Sequence, residues 1–347
     1  MRYSGGRQRR RVFVEENAPS PAYDQLNLLR LMSHHIVFLD RATLGAELRA
    51  PCFAHTWEEH GATDAASAGA RLKEATIAIT NKVPLRRETL EKLTKLQLVA
   101  MAATGYDVVD VAYCKSAGIR VVNIREYAVD TVPEHTFALI LALRRNLLNY
   151  RHDIERGRWQ DASQFCFFDH PIRDLAGATL GIVGEGSIGR ATGAIGTAFG
   201  MRVLFADHPP PKAPGVEFTP FNVVLKEADV LTLHCPLTEN TRNLIGIDEL
   251  HRMKRSAILI NTARGGLVDE AALVQALHEG AIAGAGFDVL VKEPPGEDSA
   301  LLKLRMPNFI LTPHIAWASQ NAMQRLADQL IDNIEAFASG RPVNVVA

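Results

Sequence analysis

Thr179-Leu180-Gly181-Ile182-Val183-Gly184-Glu185-Gly186-Ser187-Ile188-Gly189 is the stretch on which the fold turns. An apolar run suited to a buried strand leads straight into three glycines spaced Gly-x-Gly-x-x-Gly, the pattern of a dinucleotide-binding turn. The first glycine permits the strand-to-helix bend, the second lets backbone approach a pyrophosphate, and the third lets the helix pack closely on the sheet. The phosphates then face a helix N-terminus, where free N–H groups and the dipole favour anions. Glycine turns also join strands to helices for purely structural reasons, so the surroundings decide. Asp207 closes the next apolar run, 18 residues beyond Gly189. A carboxylate there accepts from ribose hydroxyls and repels a 2′-phosphate. No arginine follows at 208–211, so the stretch predicts NAD rather than NADP.

The turn lies mid-chain, and the half before it needs a fold of its own. Short apolar runs at 36–39, 75–80, 98–102 and 121–122 alternate with helical stretches such as 87–96 and 109–117. That is βαβ logic, with parallel strands buried on both faces. A long helix over 132–156, its start interrupted by Pro133, leads to the turn. Beyond the turn, strands are expected at 202–206, 230–235, 257–261, 283–289 and 309–312, with a helix at 269–279. A final helix over 319–338 repeats Met323, Leu326, Ala327, Leu330, Ile334 and Phe337 along one face; it follows the last strand of the nucleotide domain and is expected to return to the first domain. The fold class is α/β, with two Rossmann-like doubly wound parallel-sheet domains. The nucleotide-binding domain, 131–314, is inserted into a discontinuous substrate domain, 32–130 and 315–347. Ligands favour the cleft such a design creates.

Residues 1–31 carry Arg7, Arg9, Arg10 and Arg11, then Glu15 and Glu16, with no apolar segment. They are expected to form a disordered extension rather than a targeting signal, and Met32 could serve as a start. The 347 residues are 47% hydrophobic and 22% charged with net charge -1. No basic field holds a nucleic acid, and no apolar run reaches the roughly 18 residues of a membrane span. Cys52, Cys114, Cys166 and Cys235 show no Cys-x-x-Cys spacing, which fits buried thiols in a reducing, cytoplasmic setting. No metal-ligand motif appears, so no metal is expected.

Three ionisable residues follow apolar strands in the second half: Arg264, Glu293 and His314. In an open parallel sheet the carboxyl ends of the strands frame the binding crevice, so the three can converge near a nicotinamide. Taken singly each has a structural explanation; together they match carbonyl reduction. Histidine suits the proton because it titrates near working pH. A neighbouring carboxylate fixes the ring and favours its charged form, and arginine offers a planar fork for a carboxylate or a carbonyl. The set implies an α-keto acid.

The chain resembles the D-isomer-specific 2-hydroxyacid dehydrogenase family from about residue 34 to Ala347. The resemblance rests on Ala102-Ala103-Thr104-Gly105-Tyr106-Asp107, Glu134-His135-Thr136, the glycine turn, His234-Cys235-Pro236-Leu237-Thr238, Asn261 to Gly266, Gly286-Phe287-Asp288-Val289 and Thr312-Pro313-His314. It implies His314 as general acid/base, Glu293 as its partner and Arg264 as the substrate-orienting cation. It implies that the backbone at Thr104 and Gly105 receives the substrate carboxylate, and that Ser187, Ile188, Asp207, Cys235, Thr262, Ala263 and Asp288 join the glycines in lining the cofactor. It also implies a homodimer formed through the nucleotide domain. Asn81-Lys82-Val83-Pro84, Phe165-Cys166-Phe167-Phe168-Asp169 and His314-Ile315-Ala316-Trp317-Ala318 are similar to the glycerate dehydrogenases, which reduce hydroxypyruvate. On that likeness Asn81, Lys82 and Trp317 belong to the substrate site, Trp317 limiting its size. Two alternatives stand beside this reading: another small keto acid, or an NAD-sensing protein like the C-terminal binding protein corepressors. Glu185 departs from the pattern, since it puts a negative charge near the pyrophosphate unless it points to solvent.

Overall fold

The computed structural model describes residues 33–207, 215 and 217–347. The expected extension at 1–31 and the His208-Pro209-Pro210-Pro211 stretch lie outside the described residues. The chain divides into two compact units, one of residues 33–127 and 320–347, the other Ala128–Ser319. These divisions fall a few residues outside the expected 130/131 and 314/315. Residues 315–319 stay with the second unit because a buried carboxylate of that unit holds their backbone, as described below.

The first unit is a five-stranded parallel sheet in the order β2-β1-β3-β4-β5, made of β1 His34–Phe38, β2 His55–Glu59, β3 Ile77–Thr80, β4 Leu98–Met101 and β5 Arg120–Val122. Strands β3 and β4 are buried along their whole length, which is why they read as unbroken apolar runs. Strand β2, His-Thr-Trp-Glu-Glu, was not anticipated; as an edge strand it pairs only with β1 and carries no apolar signature. Helices α1 Ala65–Arg71, α2 Arg87–Leu90 and α3 Val111–Ala117 connect the strands. Of these, α2 is a single turn rather than the helix expected over 87–96. Asp64 and Asp110 cap α1 and α3 through the backbone N–H groups of Ser67 and Tyr113.

The second unit is a seven-stranded parallel sheet in the order β12-β11-β10-β9-β6-β7-β8. Its strands are β6 Thr179–Val183, β7 Arg202–Asp207, β8 Phe218–Pro220, β9 Val230–Leu233, β10 Ile258–Asn261, β11 Gly284–Phe287 and β12 Phe309–Leu311. Its helices are α4 Thr131–Arg144, α5 Leu147–Glu155, α6 Ser187–Ala198, α7 Phe221–Glu227, α8 Ile247–Arg252, α9 Glu270–Glu279 and α10 Ala300–Lys303. Both sheet faces are covered: Phe137 and Ile140 of α4 cluster with Leu180, Ile182 and Ile260, while Leu231, Leu259 and Phe287 cluster with Leu250 and Leu273 of α8 and α9. Strand order reverses at β6, which opens a crevice beyond the carboxyl ends of β6 and β9.

The long helix expected over 132–156 is two helices. Asn146 takes a left-handed conformation, φ 52, and its side chain donates to the Pro171 carbonyl at 2.5 Å; asparagine tolerates that region and breaks the helix there. Pro133 does not interrupt α4, because it occupies the first turn, where a missing N–H costs no intrahelical bond.

The final helix, α11 Gln320–Ala338, belongs to the first unit. Leu326, Ala327, Leu330 and Ile334 are buried as the spacing predicts, whereas Met323 and Phe337 are only half-buried. The tail after it pairs with β5: Val345 bridges Val122 in antiparallel sense, Val121 N–H donates to the Ala347 carbonyl at 2.9 Å, and Val346 N–H returns the bond at 2.8 Å.

Candidate active site

Each cofactor-lining position expected from the sequence sits at the carboxyl end of a strand of the seven-stranded sheet, in the turn that follows or, for Ser187, Ile188 and Gly189, in the first turn of α6. Gly184 leaves β6 with φ 107, and a Cβ on it would lie 2.6 Å from the backbone of His234, so the first glycine of the turn is required twice over. A Cβ on Gly189 would come within 1.9 Å of the Gly184 carbonyl oxygen, which is the close helix-to-strand packing assigned to the third glycine. A Cβ on Gly186 meets nothing; that space lies at the start of α6, which has no side-chain cap and no acid in its first turn. The residues therefore fit a pyrophosphate, with first-turn N–H groups left for an anion. Asp207 ends β7 and Cys235 follows β9. Burial pushes the Cys235 thiol up to about 11, with a smaller contribution from Glu185.

Glu185 does not point to solvent. It is 6% exposed, and its carbonyl accepts from Arg190 Nε at 2.7 Å. The four cysteines are also not uniformly buried: Cys114 and Cys235 are, Cys166 is half-buried and Cys52 is exposed, because Cys52 lies in an irregular segment rather than in a strand or helix.

The three candidate catalytic residues lie on loops after β10, β11 and β12. His314 Nδ1 meets Glu293 Oε2 at 2.5 Å, and the other carboxylate oxygen accepts from the Leu290 N–H at 2.9 Å. With Nδ1 engaged by a carboxylate, Nε2 is the ring nitrogen left to exchange a proton. Arg264 follows Asn261, whose fully buried amide donates to the Arg264 carbonyl at 2.8 Å and accepts from the Ala263 N–H at 3.1 Å. A Cβ on the next residue, Gly265, would strike the Leu290 backbone at 2.0 Å. The loop carrying Arg264 thus lies against the loop carrying Glu293, and the Arg264 guanidinium donates to the Ala263 carbonyl at 2.8 Å.

The loop bearing His314 is braced by a residue that sequence reasoning assigned to the cofactor. Asp288 is 1% exposed. It accepts from the Thr312 hydroxyl at 2.5 Å, the Ile315 N–H at 2.9 Å and the Ala316 N–H at 2.8 Å. The Trp317 indole donates to the His314 carbonyl at 2.9 Å. Between these ties His314 takes φ 56, a conformation uncommon for a non-glycine residue. His135 Nε2 reaches the Thr312 hydroxyl at 3.0 Å, and Thr136 reaches Thr262 at 3.0 Å, so the second turn of α4 supports both loops.

Of the expected substrate residues, Asn81, Lys82, Thr104 and Gly105 lie on loops at the carboxyl ends of β3 and β4 in the first unit, whereas Trp317 follows β12 in the second. Asn81 and Lys82 offer their backbone N–H groups to the buried carboxylate of Asp40, at 3.0 and 2.6 Å. Burial raises the Asp40 carboxyl above its ordinary value. The Thr104 hydroxyl donates to the Ile124 carbonyl at 2.7 Å, and Gly105 follows it, half-buried. Asp40 was not singled out from the sequence, where a polar residue closing an apolar run was its only signal, and Asn261 was quoted only as the start of a motif, with no role of its own.

The family model for the D-isomer specific 2-hydroxyacid dehydrogenase, NAD binding domain, matches residues 137–316. The chain belongs to this family. The D-2-hydroxyacid dehydrogenases include a glycerate dehydrogenase of Methylorubrum extorquens that is 52% identical over 316 residues, covering 91% of this chain and 99% of that one. A hydroxypyruvate reductase of Blautia hydrogenotrophica is 37% identical over 305 residues, covering 87% and 94%. A D-lactate dehydrogenase of Aquifex aeolicus, solved with NAD and lactic acid, superposes with a TM-score of 0.75 at 30% identity, covering 88% and 96%. This D-2-hydroxyacid dehydrogenase is therefore an NAD-dependent oxidoreductase, and the enzymes it resembles set aside the corepressor-like alternative. Among the described residues, no helix is long and apolar enough to cross a membrane.

Proposed function

We propose that the enzyme interconverts hydroxypyruvate with D-glycerate, and glyoxylate with glycolate, with His314 as the proton donor and acceptor. The observation that carries the mechanism is the 2.5 Å contact of His314 with Glu293 at the sheet edge that also bears the glycine turn. NADH, when bound, supplies the hydride for the carbonyl carbon. His314 Nε2 gives its proton to the carbonyl oxygen, and Glu293 holds the ring and offsets its charge in the protonated state. Arg264 orients the carbonyl and carboxylate with its fork, and the backbone at Thr104 and Gly105, flanked by Asn81 and Lys82, takes the substrate carboxylate. Trp317 limits the substrate to a short chain. Asp207 selects NADH over NADPH by repelling a 2′-phosphate. The likeness to the glycerate dehydrogenase supports hydroxypyruvate as substrate.

The test is a screen of hydroxypyruvate, glyoxylate, pyruvate and larger keto acids, with NADH and NADPH in parallel. Hydroxypyruvate with NADH should give the highest kcat/KM. His314→Ala should lower kcat by about 10²- to 10⁴-fold, the usual value of general acid–base catalysis, while NADH binding persists. A preference for pyruvate or a longer acid would overturn the substrate; unchanged turnover in His314→Ala would overturn the mechanism.

The working form is proposed to be a cytoplasmic homodimer. Trp159, Phe165, Phe168 and Ile172 are 52%, 87%, 81% and 48% exposed on the segment after α5. Such an apolar cluster fits a second copy better than water. Light scattering should report a dimer, and Phe165→Glu with Phe168→Glu should shift it to monomer.

A further inference from the structure

The Thr104 carbonyl is held by a chain of three asparagines, all in the first unit. Asn123, which follows β5, donates its side-chain N–H to that carbonyl at 2.8 Å. Asn333 of α11 donates to the Asn123 carbonyl at 2.9 Å, and Asn344 of the tail donates to Asn333 Oδ1 at 2.9 Å. The Asn344 carbonyl closes the circuit by accepting from the Asn123 N–H at 3.2 Å. Arg125 Nε reaches Asn123 Oδ1 at 3.3 Å, which keeps the NH₂ end of that amide turned to Thr104. Asn123 is 5% and Asn333 1% exposed, and Asn333 sits in the buried stripe of Leu326, Leu330 and Ile334. Apolar side chains at these places would hold α11 without the cost of burying amides, so the network marks a geometry to be fixed rather than a space to be filled.

The peptide that Asn123 holds is the one that carries the Gly105 N–H. It is trans, and a trans peptide is planar with its C=O and N–H on opposite sides. A donor fixed on the Thr104 carbonyl therefore fixes the direction of the Gly105 N–H. It also polarises the peptide, which makes that N–H the stronger donor. The Thr104 hydroxyl on the Ile124 carbonyl at 2.7 Å and the Ile124 N–H on the Ala103 carbonyl at 3.0 Å tie down the same turn, but neither bond involves that peptide.

We propose that Asn123 is a positioning residue for the substrate: through the Thr104–Gly105 peptide it aims and strengthens the N–H that receives the substrate carboxylate. Asn333 and Asn344 hold Asn123 in turn, so the tail at 342–347 contributes to substrate affinity. The proposal rests on the assignment of the Thr104–Gly105 backbone to that carboxylate. The carboxylate is unchanged by hydride transfer, so its contacts act on ground state and transition state alike, and their loss appears in KM rather than in kcat.

Steady-state kinetics at saturating NADH, with the keto acid preferred in the substrate screen, test it. Asn123→Leu keeps the branched outline and has no donor for the Thr104 carbonyl. KM should rise about tenfold, with kcat changed less than threefold and the NADH Kd unchanged. Asn344→Gly leaves the left-handed φ of 54 accessible and removes only the outermost amide; KM should rise about threefold. A network that serves folding alone would lower the urea midpoint and leave KM native in the folded protein. Gly105→Pro deletes the N–H itself: a native KM there overturns the carboxylate assignment and the proposal together. A raised KM in Gly105→Pro beside a native KM in Asn123→Leu overturns the proposal alone. Should Asn123→Leu fail to fold, Asn344→Gly decides, and a native KM in it overturns the proposal.

Discussion

Asp288→Asn separates bracing of the His314 loop from cofactor contact. In the native fold Asp288 takes the Thr312 hydroxyl at 2.5 Å and the Ile315 and Ala316 N–H groups at 2.9 and 2.8 Å. An asparagine keeps one oxygen and turns an NH₂ group towards a donor, so at least one charge-assisted hydrogen bond becomes a donor–donor contact. Hydrogen bonds to charged groups contribute about 1.5–3 kcal/mol, and at 1% exposure no water replaces the lost acceptor. A loss of about 2–3 kcal/mol acting on the loop that fixes His314 corresponds to a fall of roughly 30- to 150-fold in kcat. The assay is steady-state reduction of hydroxypyruvate at saturating NADH, beside a fluorescence titration of NADH. The expected outcome is a large fall in kcat, with NADH affinity changed less than threefold (about 0.7 kcal/mol). Thr312→Val, which leaves both N–H contacts in place, should cost less than about tenfold. An Asp288→Asn enzyme with native kcat and weakened NADH binding would refute the bracing argument and return Asp288 to the cofactor.

Gly189→Ala puts a Cβ 1.9 Å from the Gly184 carbonyl oxygen; because both partners are backbone, α6 must shift, with an expected cost of about 2–3 kcal/mol in urea unfolding and loss of NADH binding. A stable variant with native affinity would contradict the packing role. Burial lowers His234 to about 3 from 6.5 and lowers His34 and His60 in the same direction. The unfolded chain therefore takes up protons that the fold refuses, and stability is complete above pH 6.5 and declines as the pH falls towards 3. His234 is half-buried, so it should account for less than the full value of about 1.4 kcal/mol per pH unit in that window, and His234→Gln should flatten the slope measured by urea unfolding; an identical slope would dismiss it. Arg49 holds Glu335 at 2.6 Å and, with help from the Cys52 N–H, lowers its carboxyl to about 2 from 4.5. That contribution is present above pH 4.5 and lost as the pH falls towards 2. Solvent screening keeps it modest, so Glu335→Gln should cost about 1 kcal/mol in urea unfolding at neutral pH, and no measurable cost would show the clamp to be idle.

What could be read from the sequence was whatever is local. Ten of the twelve described strands appear as apolar runs because parallel strands are buried on both faces, the short edge strand β8 being missed along with β2, and the glycine turn appears because three backbone demands fall within six residues. Strand β2 was invisible for the opposite reason: an edge strand reading His-Thr-Trp-Glu-Glu has no pattern until β1 is beside it. The break in the long helix depends on Asn146 finding the Pro171 carbonyl, 25 residues further along the chain. Glu185, read as a charge near the pyrophosphate unless it pointed to solvent, is buried, which no count of neighbouring residue types could show.

The site divides along the same line. Arg264, Glu293 and His314 are visible one by one because each follows a strand, and the parallel sheet places all such positions on one edge. Their mutual geometry is set elsewhere, by Gly265 lying against Leu290, by Asn261 folding back on its own loop, and by Asp288 gripping residues 24 to 28 positions downstream. None of these contacts has a sequence period. A reaction that moves a proton and a hydride to adjacent atoms tolerates little displacement, since about 1 Å of misplacement can cost 10²-fold in rate. The sequence thus points to the candidate groups, whereas their mutual geometry depends on buried polar contacts between loops, and substitutions at Asp288 and Asn261 should rival those at the proposed acid and cation.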